Sequence, residues 1–230
     1  MKLNFTFLFL FSSVICNVTS ATESRTFIES DIESIHSSGL KFAEPGIGLG
    51  VGSFFSENMA VLIKVSKSLG QNFDSYKEVG GVDPILSLPT VFSETVKSLT
   101  VYSILPRYTQ KFGGKIEGCI SAGPSIFELE VEQAVKFVNG SSNRGGGENI
   151  PINTDVTQLG YGGTIELGAA YRTSDSFSFH VSGRYFFGQY KRDIDFDRLT
   201  NSALESTFGN LRSTQHFGGF SGSLGIGYHF

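Results

Sequence analysis

From Gly46 onward, apolar residues alternate with small or polar ones at a period of two, the spacing that sends successive side chains to opposite faces of a β-strand. Gly46, Gly48, Gly50 and Gly52 lie on one face and Ile47, Leu49 and Val51 on the other. After Ser56-Glu57-Asn58 the pattern resumes, with Met59, Val61, Ile63 and Val65 against Ala60, Leu62, Lys64 and Ser66. The two segments form a hairpin with an apolar face and a small or polar face. A second hairpin runs from Leu99 to about Leu129 and turns at residues 111–115. A third runs from Gly160 to Gln189 and turns at residues 172–175. In the third, Ile165, Leu167 and Tyr171 oppose Thr164, Glu166 and Arg172, while Phe177, Phe179, Val181, Tyr185 and Phe187 oppose Ser178, His180, Ser182 and Arg184. The last segment, Phe220 to Phe230, sets Phe220, Leu224, Ile226, Tyr228 and Phe230 against Ser221, Ser223, Gly225, Gly227 and His229.

The connections sharpen the reading. Three are tight, at about residues 56–58, 111–115 and 172–175, and they alternate with long ones at about 70–97, 131–158 and 190–215. Long structureless stretches count against a compact soluble domain, whereas a membrane barrel joins its strands by short turns at one end and long loops at the other. Counting back from the C-terminus puts every tight turn at the same end and yields seven strands. Single-chain outer-membrane barrels use an even number, so an eighth is required. The candidate is Thr26 to His36, whose pattern is poor because Glu29, Asp31 and Glu33 share one face; a helix over the same acidic segment stays open. The expected fold is an all-β, eight-stranded, antiparallel up-and-down transmembrane barrel.

Composition agrees with strands. The chain carries 28 Gly, 22 Phe and no Trp, and charged residues make up 17%, below the roughly 25% of a soluble domain. The net charge of −4 gives no basic footprint for nucleic acid. At the N-terminus, Lys2, the apolar run from Phe5 to Ile15 and the small residues Thr19, Ser20 and Ala21 have the order of a secretory signal cleaved near residue 21. The expected organisation is therefore a signal over residues 1–21, an N-terminal segment over 22–45 and a barrel over 46–230. Cys16 invites a lipoprotein reading, but Val14-Ile15 lacks the small residue that acylation at such a cysteine needs. Cleavage would leave Cys119 as the one remaining thiol.

With apolar faces turned to lipid, the opposite faces fill the lumen, which in an eight-stranded barrel is just wide enough for side chains. The expected lumen network is Lys64, Arg107, Glu117, Glu166, Arg172, His180 and Arg184. Both signs are present, as buried charges that satisfy one another require, and the prediction is a plugged polar core. Glu166, His180 and Arg184 also have the residue types of an acid–base cluster, although strand packing accounts for all three.

Other motifs carry less. Gly46 to Gly52 has glycines every second residue before another strand, not the G-x-G-x-x-G between strand and helix of a dinucleotide site. Arg144 beside Gly145 to Gly147 lacks the Lys-Ser/Thr of a phosphate loop. Asp193, Asp195 and Asp197 have calcium-loop spacing, but Arg198 and Leu204 stand where Gly and Glu are needed. No cofactor or zinc spacing is present, and no catalytic constellation assembles. Residues 190–215 mix both charge signs with Phe196, Leu199 and Phe208 and would offer a protein or glycan a recognition surface.

The stretch Ile165 to Gln189 (IELGAAYRTSDSFSFHVSGRYFFGQ), followed by Gly222 to Phe230 (GSLGIGYHF) and joined by the turn Phe54-Phe55-Ser56-Glu57-Asn58, resembles the small outer-membrane barrels of the surface-antigen type. That group spans opacity-like proteins, OmpA-type barrels and the major surface antigens of rickettsia-like bacteria. The resemblance implies Sec export, an outer-membrane location with surface-exposed loops, and a C-terminal signal formed by Leu224, Ile226, Tyr228 and Phe230 for the barrel-insertion machinery. It implies outer-membrane lipid as a partner, and a host-surface protein or glycan at the loops. For function it implies a structural or antigenic, adhesive surface protein, with a narrow channel for small solutes as the alternative, and no enzyme.

Overall fold

A computed structural model of the chain describes residues 25–37, 40, 42–69, 77–82, 89–137, 152–192 and 214–230. The signal-like segment with Cys16, the Arg144 glycine run and the Asp193 to Asp197 triplet lie outside the described residues. Nine strands are present among the described residues: β1 (Thr26–Ser37), β2 (Phe42–Phe54), β3 (Met59–Ser68), β4 (Lys77–Val82), β5 (Pro89–Lys111), β6 (Ile116–Phe137), β7 (Ile152–Arg172), β8 (Phe177–Lys191) and β9 (Thr214–His229).

Every pairing is antiparallel, and the order β3-β2-β1-β9-β8-β7-β6-β5 closes on itself through a β3–β5 ladder from Met59↔Tyr108 to Lys67↔Thr100. Eight strands thus form the barrel, while the short β4 pairs along the start of β5, beyond the reach of β3. Closure removes the unpaired edges that an open sheet would present. The acidic segment Thr26–Ser37 is a strand, not a helix. It pairs with β2 on one side and with the C-terminal strand on the other, and Phe230 donates its N–H to the Thr26 carbonyl at 2.9 Å.

The tight turns lie where the alternation places them, between β2 and β3, β5 and β6, and β7 and β8. The opposite end differs from expectation. Much of what reads as long connection is strand: β5, β6 and β7 have 23, 22 and 21 residues, against the 9–11 that cross a bilayer. The alternation also changes phase inside β5. A β-bulge between Val96 and Ser98 shifts the β5–β6 register, so Phe92, Glu94 and Val96 face inward before it and Leu99, Val101, Ser103, Leu105 and Arg107 after it. One extra residue in one strand has this effect.

The glycines of β2 have a steric role. A Cβ at Gly48 would sit 2.5 Å from Glu33 Oε1 and 3.1 Å from Asp31 Oδ2, and one at Gly52 would overlap the Phe27 ring. On the other flank, Asp31 is paired with Gly225 and Glu29 with Gly227. The bulky inward side chains of β1 thus lean over bare backbone on both sides, which explains why a carboxylate strand lies between two glycine-rich ones.

Candidate functional site

The interior is a stack of chemically distinct layers. At the tight-turn end, Phe27, Ala60, Leu62 and Leu105 form an apolar cluster with Phe54 packed against it. The Phe27 and Phe54 ring centroids are 5.3 Å apart, and the Arg107 guanidinium stands 5.5 Å above the Phe27 ring.

The middle layer is ionic. Arg107 pairs with Glu29 on β1 and, at 2.9 Å, with Glu166 on β7. Lys64 Nζ reaches Glu166 at 3.0 Å, Asp31 at 2.6 Å and Glu33 at 3.6 Å. Arg184 pairs with Glu33 and donates to Ser66 Oγ at 2.8 Å and to Ser221 Oγ at 3.0 Å. The imidazole Nε2 of His180 meets Asp31. Four carboxylates (Glu29, Asp31, Glu33, Glu166) thus face three basic side chains (Lys64, Arg107, Arg184) and His180, almost all of them buried. Each guanidinium is satisfied by both a carboxylate and a hydroxyl, which offsets the desolvation of so many charges.

Above this lies a second, larger apolar layer containing Ile35, Leu99, Phe127, Leu129, Phe186 and Phe217. Phe127 and Phe217 meet edge to face with centroids 4.9 Å apart. Beyond it, where β5 to β7 overhang the rest, the fully buried Arg192 Nε pairs with Glu94 at 2.8 Å, and Gln133 and Gln158 donate to Glu94 Oε1 at 3.1 and 3.3 Å.

Of the residues singled out from the sequence, Lys64, Arg107, Glu166, His180 and Arg184 converge in the ionic layer. Arg172 and Glu117 form a separate pair at 2.7 Å nearer the tight turns. Other partners escaped sequence reasoning. Glu29, Asp31 and Glu33 are the acidic face that made β1 read poorly, and an i, i+2, i+4 row of carboxylates was itself the signal. The Glu94–Arg192 pair lies in what read as loop and left no such mark.

A cavity of about 40 Å³ opens beside Cys119, His180, His229, Arg107 and Phe27, enough for a few ordered waters. Among the described residues, the Nδ1 atoms of His180 and His229 have no hydrogen-bond partner. Cys119, His180 and Asp31 are the residue types of a nucleophile, a base and its orienting acid. His180 turns Nε2 to Asp31, and its Nδ1 has no hydrogen-bond partner among the described residues, so the imidazole does not engage the thiol. No group of three or more His, Cys, Asp or Glu side chains among the described residues has metal-binding geometry.

The outer wall is the converse of the lumen. Ile32 is 73% exposed and Leu224 68%, and Ile47, Leu49, Ile104, Ile120, Ile165, Leu167, Phe179 and Ile226 are exposed on the same surface. Aromatic rings rim this band. Phe177, Tyr228 and Phe230 make successive ring contacts at the tight-turn end, and Tyr185 packs on Phe220 farther up. Above the band the wall becomes acidic, with Ser98 donating to Glu130 at 2.7 Å and Lys97 bridging Glu132 and Asp155. Hydrogen bonds to Asp155 and then Glu132 hold the Lys97 ammonium above its ordinary pKa.

No family model matches the chain, and no curated protein matches it. Among solved structures it is similar to Neisserial surface protein A, at 10% identity over 91% of this chain and 98% of that one with a TM-score of 0.45. It is similar to Ail, the attachment invasion locus protein of Yersinia pestis, at 11% identity over 90% and 97% with a TM-score of 0.42. A major outer membrane protein from Thermus thermophilus aligns at 13% identity over 91% and 100% with a TM-score of 0.48. The barrel itself rests on the closed ladders of this chain.

Proposed function

We propose that the chain is an outer-membrane barrel whose lumen is sealed and whose role is performed by the connections at its long end, as a structural and antigenic surface protein with adhesive capacity. The observation that carries the membrane part is the continuous exposed apolar wall. An exposed greasy surface this extensive is unfavourable in water and is what hydrocarbon requires of a closed barrel. Along β7 the band runs from Leu159 to Tyr171, a little longer than the roughly 9–11 residues of a crossing strand.

The stacked lumen favours the surface-protein reading over a solute channel. An ion crossing the barrel would have to pass two apolar layers and break the Lys64, Arg107 and Arg184 pairs between them. The tall β5 to β7 wall continues beyond the apolar band and supplies a rigid base for recognition at that end. Outer-membrane lipid is the standing partner in this reading. The strand bearing Leu224, Ile226, Tyr228 and Phe230 is what the insertion machinery would engage, and the loop partner would be a host-surface protein or glycan.

Two measurements on cells expressing the full chain test this. Its band in the outer-membrane fraction should migrate differently before and after boiling, and deletion of residues 193–213 should reduce binding to host cells without abolishing that shift. A soluble protein without heat-modifiable migration contradicts the membrane reading. Undiminished binding by the deletion variant, or none by the parent, contradicts the adhesive role.

A further inference from the structure

One of the eight seams of the barrel is built differently from the others. The β5–β6 ladder descends to Ser103↔Ser125 and resumes at Arg107↔Ser121 in the same register. The ladders on either side, β3–β5 and β6–β7, continue without a break across this height. The cause can be read from the backbone. Phe112 donates its N–H to Ile116 O at 2.8 Å, so in the register that follows, 104 with 124 and 106 with 122 are also directly bonded pairs. Pro106 and Pro124 each occupy one of these pairs, on opposite strands, and neither has an N–H to give. The Ala122 and Ile104 carbonyls therefore lose their donors across the same seam.

Prolines in sheets are ordinarily confined to edges, and an unmet carbonyl is costly in hydrocarbon, where no water replaces the donor. Both prolines nevertheless lie in the apolar band, between the exposed Ile120 and Ile126 on β6 and beside the exposed Ile104 on β5. The strands stay in contact here, since a Cβ at Gly123 would lie 2.0 Å from Ile104 O and 3.3 Å from Pro106 Cδ, so the seam lacks ladder bonds but is not a hole. Behind it the wall carries Leu105 and the side-chain-free Gly123. Leu105 is fully buried and packs with Leu62 and Ala60. A molecule entering between the strands would thus meet hydrocarbon before it met the ionic layer.

We propose that the wall parts transiently between β5 and β6 at Pro106 and Pro124, where the ladder bonds are missing, and that the parted seam admits a lipid acyl chain to Leu105. The inference rests on the membrane reading above. Its test uses a chain in which Cys16 and Cys119 are replaced by Ser and single cysteines are placed by L105C behind the seam, S223C on the opposite inner wall, or L167C on the outer wall. Each is folded into phosphatidylcholine vesicles and exposed to pyrene maleimide dissolved in the lipid.

The L105C thiol should label about tenfold faster than the S223C thiol, as a local opening confined to one seam requires. The pair P106V and P124V, which restores both N–H groups, should abolish the difference. Equal labelling of L105C and S223C, or an advantage that persists with P106V and P124V, overturns the opening. If L167C is not labelled from the lipid, the membrane reading fails and this inference falls with it. Amide exchange in the unaltered chain tests the same point without substitution. Faster exchange at Ile104 and Ala122 than at Phe179 and Ile226 is expected, and equal protection overturns the proposal.

Discussion

The ionic layer and the apolar layer above it fill neighbouring parts of the lumen with opposite chemistry. In the apolar layer, Phe127, Phe186, Leu99 and Leu129 need only the right volume, and each tolerates a neighbour of similar size. In the ionic layer every group depends on named partners. Arg107 holds Glu29 and Glu166, Lys64 holds Glu166 and Asp31, and Arg184 holds Glu33. The lesson is one of fragility: removing one charge leaves another buried without compensation, whereas trimming one ring leaves a cavity in otherwise intact packing.

Substitutions should separate the two layers in a definite order. Arg107→Ala leaves Glu29 uncompensated and Glu166 with Lys64 alone, and should cost about 3–5 kcal/mol, read as a lower urea midpoint for loss of the compact gel band. Gly48→Ala should cost about 1–3 kcal/mol by overpacking, because its Cβ would press on the Glu33 and Asp31 carboxylates that the layer needs in place. Phe127→Leu, in the apolar layer, should cost about 1 kcal/mol by the same readout. Lys97→Ala, above the belt where the ion pairs are solvent-exposed, should stay within about 0.5 kcal/mol. Were Phe127→Leu to prove more damaging than Arg107→Ala, the contrast between the layers would be wrong.

Much of this was legible because a barrel writes a period of two into strands whose two faces meet different surroundings. Val61, Ile63 and Val65 against Leu62, Lys64 and Ser66 declare their faces without help, and the tight turns declare the end they share. The alternation fails where the physics changes. In β1, Glu29, Asp31 and Glu33 resemble a solvated face until Arg107, Lys64 and Arg184 arrive from strands remote in sequence. In β5, the bulge at Lys97 breaks the phase, so Glu94 and Val96 cannot be assigned by counting from Leu99. In β6, the outward face continues through Glu128 and Glu130 to Glu132, polar because it stands above the greasy band, and from residue 131 onward that composition reads as loop. The register that aligns Pro106 with Pro124 across one seam likewise appears only once the strands are paired.

In the proposed reading, the stack of two apolar layers around a paired ionic one seals the lumen, and ion conductance tests that most directly. The full chain inserted in planar bilayers should add no discrete current steps to the baseline at either polarity. Reproducible single-channel steps from the unaltered protein would contradict the sealed lumen.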